Sequence, residues 1–442
     1  MSLSPFDSAL YARLFGDAEV AALFSDSAEV RAMMLVLGTL AGVQGRAGVI
    51  PEASGAFLDR AMREGLIDAG ALAEATGRNG VTVPGLVAAL RKSVQAPEHA
   101  QYLHWGATSQ DIQDTGLMLR LRRVLDVMEG RLAQVLSALA DLAEAHAETP
   151  QAARTYGQVA VPSGFGALVA TWGAPLLEHH RDLRDLRARA LAVSLSGAAG
   201  TGTMLGPDPG AIRAGVARAL DLPDPGTSWH AERHRFQRIA AWMTRCATAA
   251  GKIGEDLLRL SRSEVAELGF AASGASSTMP QKQNPVAASA LVALSRFAVA
   301  QQAALMSAPH GEARDGAAWF TEWLALPQLI AASGKALAVL AELIPALVVN
   351  VDEMRARADD PLGLIHAETL SFALAAVLPR AEAQAVVKSL AAKALATGTP
   401  LPDLIRAAHP DAALPDLAPE ATMGAAPAEA RAFAKAVRAH LT

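Results

Sequence analysis

Hydroxyls, one ammonium and one carboxamide crowd into the stretch SGASSTMPQKQNP, residues 273–285, where Ser276, Ser277 and Thr278 stand shortly before Lys282 and Asn284. Five small residues, Ser273 to Ser277, open it, and Gly274, Pro280 and Pro285 interrupt helical hydrogen bonding on both sides. With almost no apolar surface to bury, the stretch cannot be core. Two other segments share its density of polar side chains: LHWGATSQDIQDTG, 103–116, and RTYGQVAVPSGFG, 154–166. In the first, Thr108, Ser109 or Asp111 can cap the helix that follows, and the second can equally be an ordinary helix start. Three such islands in one helical chain point further, because hydroxyls, amides and a lysine at helix ends can converge on an anion. The chemistry they suit is carboxylate binding.

Long helices must position these islands, and the sequence supplies them. Leu125, Met128, Leu132, Val135, Leu139 and Leu142 step by three and four residues up to Thr149 and Pro150. The same spacing runs from Ile239 through Trp242, Cys246, Ala249, Ile253, Leu257 and Leu260, and after Pro285 through Ala290, Leu294 and Phe297. Abundant Ala and Leu, low aromatic content (5%) and no long β-branched alternation favour helix throughout. The expectation is an all-α protein built on a bundle, whose partners the stripes alone leave open between the same chain and another subunit. RADDPLGLI, 357–365, breaks the pattern, so the expected division is an N-terminal helical domain 1–110, a central long-helix domain 111–356 and a small C-terminal domain 357–442. The most apolar stretch, Trp323 to Val351, contains Pro327, Lys335, Glu342 and Pro345 and reads as a buried helix pair, not a membrane span.

Composition narrows the function. With 442 residues, 51% of them hydrophobic, burial is not limiting. The 39 basic and 44 acidic residues leave a formal charge of −5, which argues against a nucleic-acid or anionic-membrane surface and favours a small-molecule partner. Cys246 is the only cysteine, so an intrachain disulfide and a thiolate metal cluster are both excluded and a reducing, cytoplasmic setting is expected. MSLSPFDSAL shows no basic region followed by an apolar run, hence no expected secretory signal.

The loop GASSTMPQKQNP resembles the G-S-S-x-M-P-x-K-x-N-P signature of the fumarase/aspartase superfamily, matching from Ser276 onward with Ala275 in place of the usual glycine. The other two islands resemble its remaining characteristic regions, in the same order and at similar spacing. Within the superfamily, LHWGATSQDIQDTG, RTYGQVAVP, SGAAGTGTMLG (196–206) and LFSDSAEVRAMM (23–34) are most similar to the branch that closes 3-carboxymuconate to a lactone in protocatechuate degradation, with adenylosuccinate lyases next. The resemblance implies a three-domain fold, a homotetramer whose active sites each draw the three regions from three subunits, apolar stripes packed between subunits, a small polycarboxylate substrate, and no metal or cofactor. It makes Ser276 the proton carrier beside a substrate carboxylate that Lys282 and Asn284 hold. It places His104, Thr108, Ser109, Gln110, Arg154, Thr155, Tyr156, Gln158, Ser277, Thr278 and Met279 in the substrate pocket. An ammonium and amide donors suit that role, since removing a proton next to a carboxylate creates a doubly negative aci-carboxylate. Serine is a weak base, so Ser276 needs Lys282, loop N–H groups or both.

Departures from the pattern carry information. Relatives that release an amine or water have Thr-His in the second region, the histidine being linked to protonation of the leaving group; here Tyr156 stands there. A carboxylate, whose conjugate acid has a pKa of about 4, leaves unaided. Tyr156 therefore fits lactone chemistry and argues against an adenylosuccinate- or argininosuccinate-type lyase, while the retained Ser276, Lys282 and Asn284 argue against a non-catalytic scaffold. Gln281 and Gln283 stand where related loops often carry His and Arg. His230 and His234 sit four apart, as metal ligands on a helix would, but WHAERHRF offers no third ligand and reads as a solvated helix face. SGAAGTGTMLG follows no strand and reads as a loop facing the active site. HGEARDGAAWFTEW, 310–323, reads as a helix start with Trp319 and Trp323 in core, a functional part for His310 or Arg314 staying open.

Overall fold

The computed structural model describes residues 4–271, 274–275, 279 and 282–442. Helices dominate. Those that matter here are α1 (Asp26–Arg46), α2 (Glu52–Glu64), α3 (Ser109–Ala145), α4 (Phe165–Ala190), α5 (His234–Leu260), α6 (Val286–Met306) and α7 (Ala317–Leu343). The chain packs into two compact units, one of Met1–Arg131, His179–Gly251 and Ala290–Ala338, the other of Leu132–Glu178, Lys252–Ser289 and Val339–Thr442.

Three of the predicted stripes become α3, α5 and α6. On α3, Leu125, Met128, Leu132, Val135 and Leu139 are fully buried, and on α5 so are Ile239, Trp242, Cys246, Ile253 and Leu257. This corrects the expectation that the stripes pack between subunits: the chain supplies its own partners for α3 and α5, at about 1.5–3 kcal/mol per buried large side chain. The approach of α5 to α6 is close enough to require glycine, because a Cβ on Gly251 would meet Ser295 Cβ at 2.5 Å. Of these three helices, α6 keeps apolar surface outside, with Val286, Val299 and Met306 exposed.

Two more expectations are corrected. The stretch from Trp323 to Val351 is not a helix pair. Helix α7 runs through Pro327 and gives way to a 3₁₀ turn, Ile344–Ala346, and a strand, Leu347–Val349. A proline inside a helix costs about 3 kcal/mol; here buried Leu326, Leu329 and Ile330 around it hold the helix together. By length and composition both α6 and α7 would cross a bilayer, yet more than half of the apolar α7 window is buried inside the chain.

The second correction is a β-hairpin. RTYGQVAVPSGFG belongs to strands β1 (Pro150–Thr155) and β2 (Gln158–Gly164), antiparallel with Thr155 opposite Gln158 and a bulge between Ala152 and Arg154. Helix α4 starts only at Phe165. Two shorter pairs join Leu268–Phe270 to Leu347–Val349 and Gly274–Ala275 to Gln283–Asn284.

Beyond position 364 a local core gathers Leu370, Leu374, Val387, Leu401 and Ile405 from the helices Ala367–Leu374, Arg380–Thr397 and Leu401–Ala408.

Candidate active site

The first island is organised by a carboxylate. Asp111 lies in the first turn of α3, fully buried, and its Oδ2 accepts the N–H of Thr108 at 2.9 Å, the reciprocal half of a capping box. The same oxygen accepts the N–H of Gly197 at 3.0 Å, while Oδ1 accepts the N–H of Ser196 at 2.8 Å and Nε2–H of His230 at 2.7 Å. Four donors on one carboxylate tie the helix start to the glycine-rich loop 196–206, which is coil and turn as expected. Gly106 makes the approach possible: its φ is +70°, and a Cβ there would fall 2.1 Å from the carbonyl oxygen of Met204. Thr108 and Ser109, both half-buried, thus sit at the N-terminal, positive end of a 37-residue helix.

His104 precedes them with φ +66°, and burial lowers its pKa below the usual imidazole value, so the ring is neutral near pH 7. Its buried Nε2 has no hydrogen-bond partner among the described residues. Gln110 is occupied within the chain: Nε2–H donates to the carbonyl of His230 at 2.9 Å, and Oε1 accepts from Arg314 at 3.3 Å. Arg314 also donates to the carbonyl of Ala198 and, like Ala313, has a positive φ. The residue left open in the sequence thereby links the first island to the glycine-rich loop.

One turn along α3 lies a second buried charge cluster. Arg233, 1% exposed, donates to both oxygens of Asp114 at 2.7 and 3.0 Å and to both oxygens of Glu322 at 2.7 Å, with its guanidinium over the rings of Phe236 and Trp229. Trp319 Nε1–H completes Asp114 at 3.0 Å. Burial, only partly offset by Arg233, pushes the Glu322 carboxyl up to about 7. Trp319 is buried as expected, Trp323 half-buried. The reading of His230 and His234 as a solvated helix face is corrected: α5 begins at His234, so His230 lies before the helix, buried on Asp111, while exposed His234 pairs with Glu232. The sequence reading missed Asp114, Arg233 and Glu322. The spacing of Asp111 and Asp114, three apart at a helix start, was the available signal.

The second island displays its residues on the hairpin. Arg154 is neutralised by fully buried Glu267, which also accepts Gln151 Nε2–H at 2.7 Å. Thr155 and Gln158 flank the turn, exposed, and its central residues Tyr156 and Gly157 have φ +51° and +76°, the signs of a type I′ turn. Tyr156 is fully exposed. A tyrosine in left-handed backbone at a hairpin tip, with nothing among the described residues to pack on, costs energy that folding alone does not reward.

In the third island, Lys282 is exposed, with its N–H on the carbonyl of Met279 at 3.0 Å; Met279 is exposed too. Asn284 is half-buried and pairs with Gly274 across the short strands. Ser276, Ser277, Thr278 and Gln281 lie outside the described residues. Among the described residues, no three His, Cys, Asp or Glu side chains are grouped to hold a metal ion.

Residues 32–299 match the family model described as Lyase. The chain is 34% identical over 406 residues, 90% of both chains, to the 3-carboxy-cis,cis-muconate cycloisomerase of Bradyrhizobium diazoefficiens. It is 35% identical to the nitrosuccinate lyase of Streptomyces davaonensis, covering 91% of this chain and 88% of the relative. Among solved structures it superposes on the 3-carboxy-cis,cis-muconate lactonizing enzyme from Pseudomonas putida with a TM-score of 0.91 at 29% identity, over 98% of this chain and 100% of that one.

Proposed function

The chain belongs to this lyase family of the fumarase/aspartase superfamily, and from that membership we propose that it interconverts 3-carboxy-cis,cis-muconate and carboxymuconolactone. The observation that carries the reading is agreement along nine-tenths of the chain with a relative of that name. In the lactonising direction a substrate carboxylate oxygen bonds to the distal carbon of a double bond. The π pair moves to the carbon beside the other carboxylate as an aci-carboxylate, and Ser276 delivers a proton to that carbon. Lys282 and Asn284 hold the charge as it grows, which is where fixed donors contribute most. Thr108, Ser109 and the N-terminal end of α3 bind a second carboxylate, and neutral His104 offers a hydrogen bond without a competing charge. Tyr156 stands where amine-releasing relatives carry their acid; the reverse reaction expels a carboxylate and needs none.

The active form in this reading is a cytoplasmic homotetramer. Supporting it are the exposed apolar face of α6 and the fully exposed Tyr156, both of which a neighbouring subunit would cover. The three-domain division at 110 and 356 belongs to the same proposal.

Nitrosuccinate cleavage is the second reading, favoured by the 35% identical relative and compatible with Tyr156, since nitrite too leaves as a stable anion. The deciding experiment mixes purified protein with each compound. Loss of the ultraviolet band of the conjugated diene with 3-carboxymuconate supports lactonisation. Nitrite release from nitrosuccinate with no change in that band replaces it by the second reading.

A further inference from the structure

Away from the three islands, α1, α2 and α3 enclose a groove of about 420 Å³ whose polar lining is arginine: Arg31, Arg63, Arg120 and Arg123, set against Leu35 and Leu119. That volume is in the range of small-molecule sites. The groove lies well clear of the first island, because Arg120 and Arg123 follow Gln110 by ten and thirteen residues, roughly 15–20 Å along the axis of α3 at 1.5 Å per residue.

The charges in this groove are under-compensated. Arg63 is paired with Asp59 at 3.1 Å. Arg120 is largely buried and stacked over Phe24, and its single carboxylate, Glu29, is 3.3 Å away and partly in solvent. Burial lowers its pKa more than Glu29 raises it, and its buried Nε–H has no partner among the described residues. Arg31 has no carboxylate partner among the described residues; it donates to the carbonyls of Met62, Arg63 and Gly65 at the C-terminal end of α2, which fixes the guanidinium in place. Arg123 is exposed and has no hydrogen-bond or ion-pair partner among the described residues. Two of four guanidinium groups therefore lack a counter-charge, beside an apolar wall.

We infer that this groove is a second ligand site, separate from the catalytic islands, for a small amphipathic dicarboxylate: Arg123 and Arg31 take the carboxylates, and the leucine wall takes the carbon chain. Guanidinium pairs suit carboxylates bidentately. The volume and the apolar wall favour a compact organic dianion over inorganic phosphate or an acidic peptide.

The inference stands whether or not the chain lactonises muconate, and its test separates the two. Adipate is titrated calorimetrically into the full-length protein, into Lys282→Met, and into Arg123→Gln and Arg31→Gln/Arg123→Gln. The expected result is saturable millimolar or tighter binding that survives in Lys282→Met, weakens roughly tenfold in Arg123→Gln and is lost in the double variant, with the helical circular dichroism of all four unchanged. Three outcomes would overturn it: wild-type affinity in the double variant, adipate binding that disappears in Lys282→Met alone, or inorganic phosphate or an acidic peptide binding as tightly as adipate. A change of oligomeric mass in Arg123→Gln with adipate binding intact would instead make the groove a contact between copies of the chain.

Discussion

Nε2–H of His230 lies 2.7 Å from Oδ1 of Asp111, two fully enclosed side chains 119 residues apart in the sequence. Neither belongs to the residues expected to touch substrate, yet their contact fixes the start of α3, from which Thr108, Ser109 and Gln110 extend. The carboxylate has four donors and no spare acceptor position for an amide. Asp111→Asn should therefore lower stability by roughly 2–4 kcal/mol, since an NH₂ group must face at least one donor in a buried site. Urea unfolding measures it, and kcat/KM should fall with the loss of loop 196–206 geometry. Wild-type stability in this variant would mean that the network is incidental.

How far the sequence foretold this arrangement depends on distance along the chain. The stripes of α3 and α5 were legible because a helix repeats its burial every three or four residues, so local spacing suffices. Tyr156 was legible as a departure, but its hairpin was not: β2 holds only Val159 and Val161 as an alternating signal, and a proline follows. The Arg233 cluster was illegible for another reason. Its partners Asp114 and Glu322 lie 119 and 89 residues away, and nothing local distinguishes a buried arginine from a solvated one. For His230, helical spacing misled because no helix includes it.

Glu322 gives the protein a pH dependence of defined sign. Its carboxyl ordinarily titrates near 4.5 and in the folded state near 7, so between these values the native protein holds a proton that the unfolded chain has lost. Its contribution is fully present below about 4.5, falls as pH rises through the window and is level above 7. Glu322→Gln should flatten the pH dependence of the unfolding free energy, read from urea titrations across pH 4.5–7, by roughly 1–3 kcal/mol relative to the parent. An unchanged slope would place the proton elsewhere.

Lys282 is exposed, and its side chain has no hydrogen bond or ion pair among the described residues. Lys282→Met should leave thermal unfolding within about 0.5 kcal/mol of the parent while reducing turnover at least 10²-fold, the signature of an interaction made in the transition state. Ser276→Ala should reduce turnover comparably while retaining substrate binding. Near-normal turnover of Ser276→Ala would move the proton to Ser277.

Tyr156 separates shape from acidity. Tyr156→Phe keeps the ring at the hairpin tip and removes only the hydroxyl, so turnover should stay within about tenfold, against the 10²- to 10⁴-fold loss that follows removal of a required acid. Abolished lactonisation in a folded, assembled Tyr156→Phe would make the phenol an acid in its own right.

The enclosure of Cys246 on α5 turns the molecule into its own stopwatch. A thiol reagent attacks the thiolate, and here burial both hides the sulfur and pushes the thiol above its ordinary range. Modification must wait for α5 to part from its neighbours, so the rate at which an aromatic disulfide labels the native protein counts openings of the core without any denaturant. With one cysteine per chain there is one signal to read, and loosening elsewhere, such as that expected of Asp111→Asn, would be timed at a helix the substitution never touches.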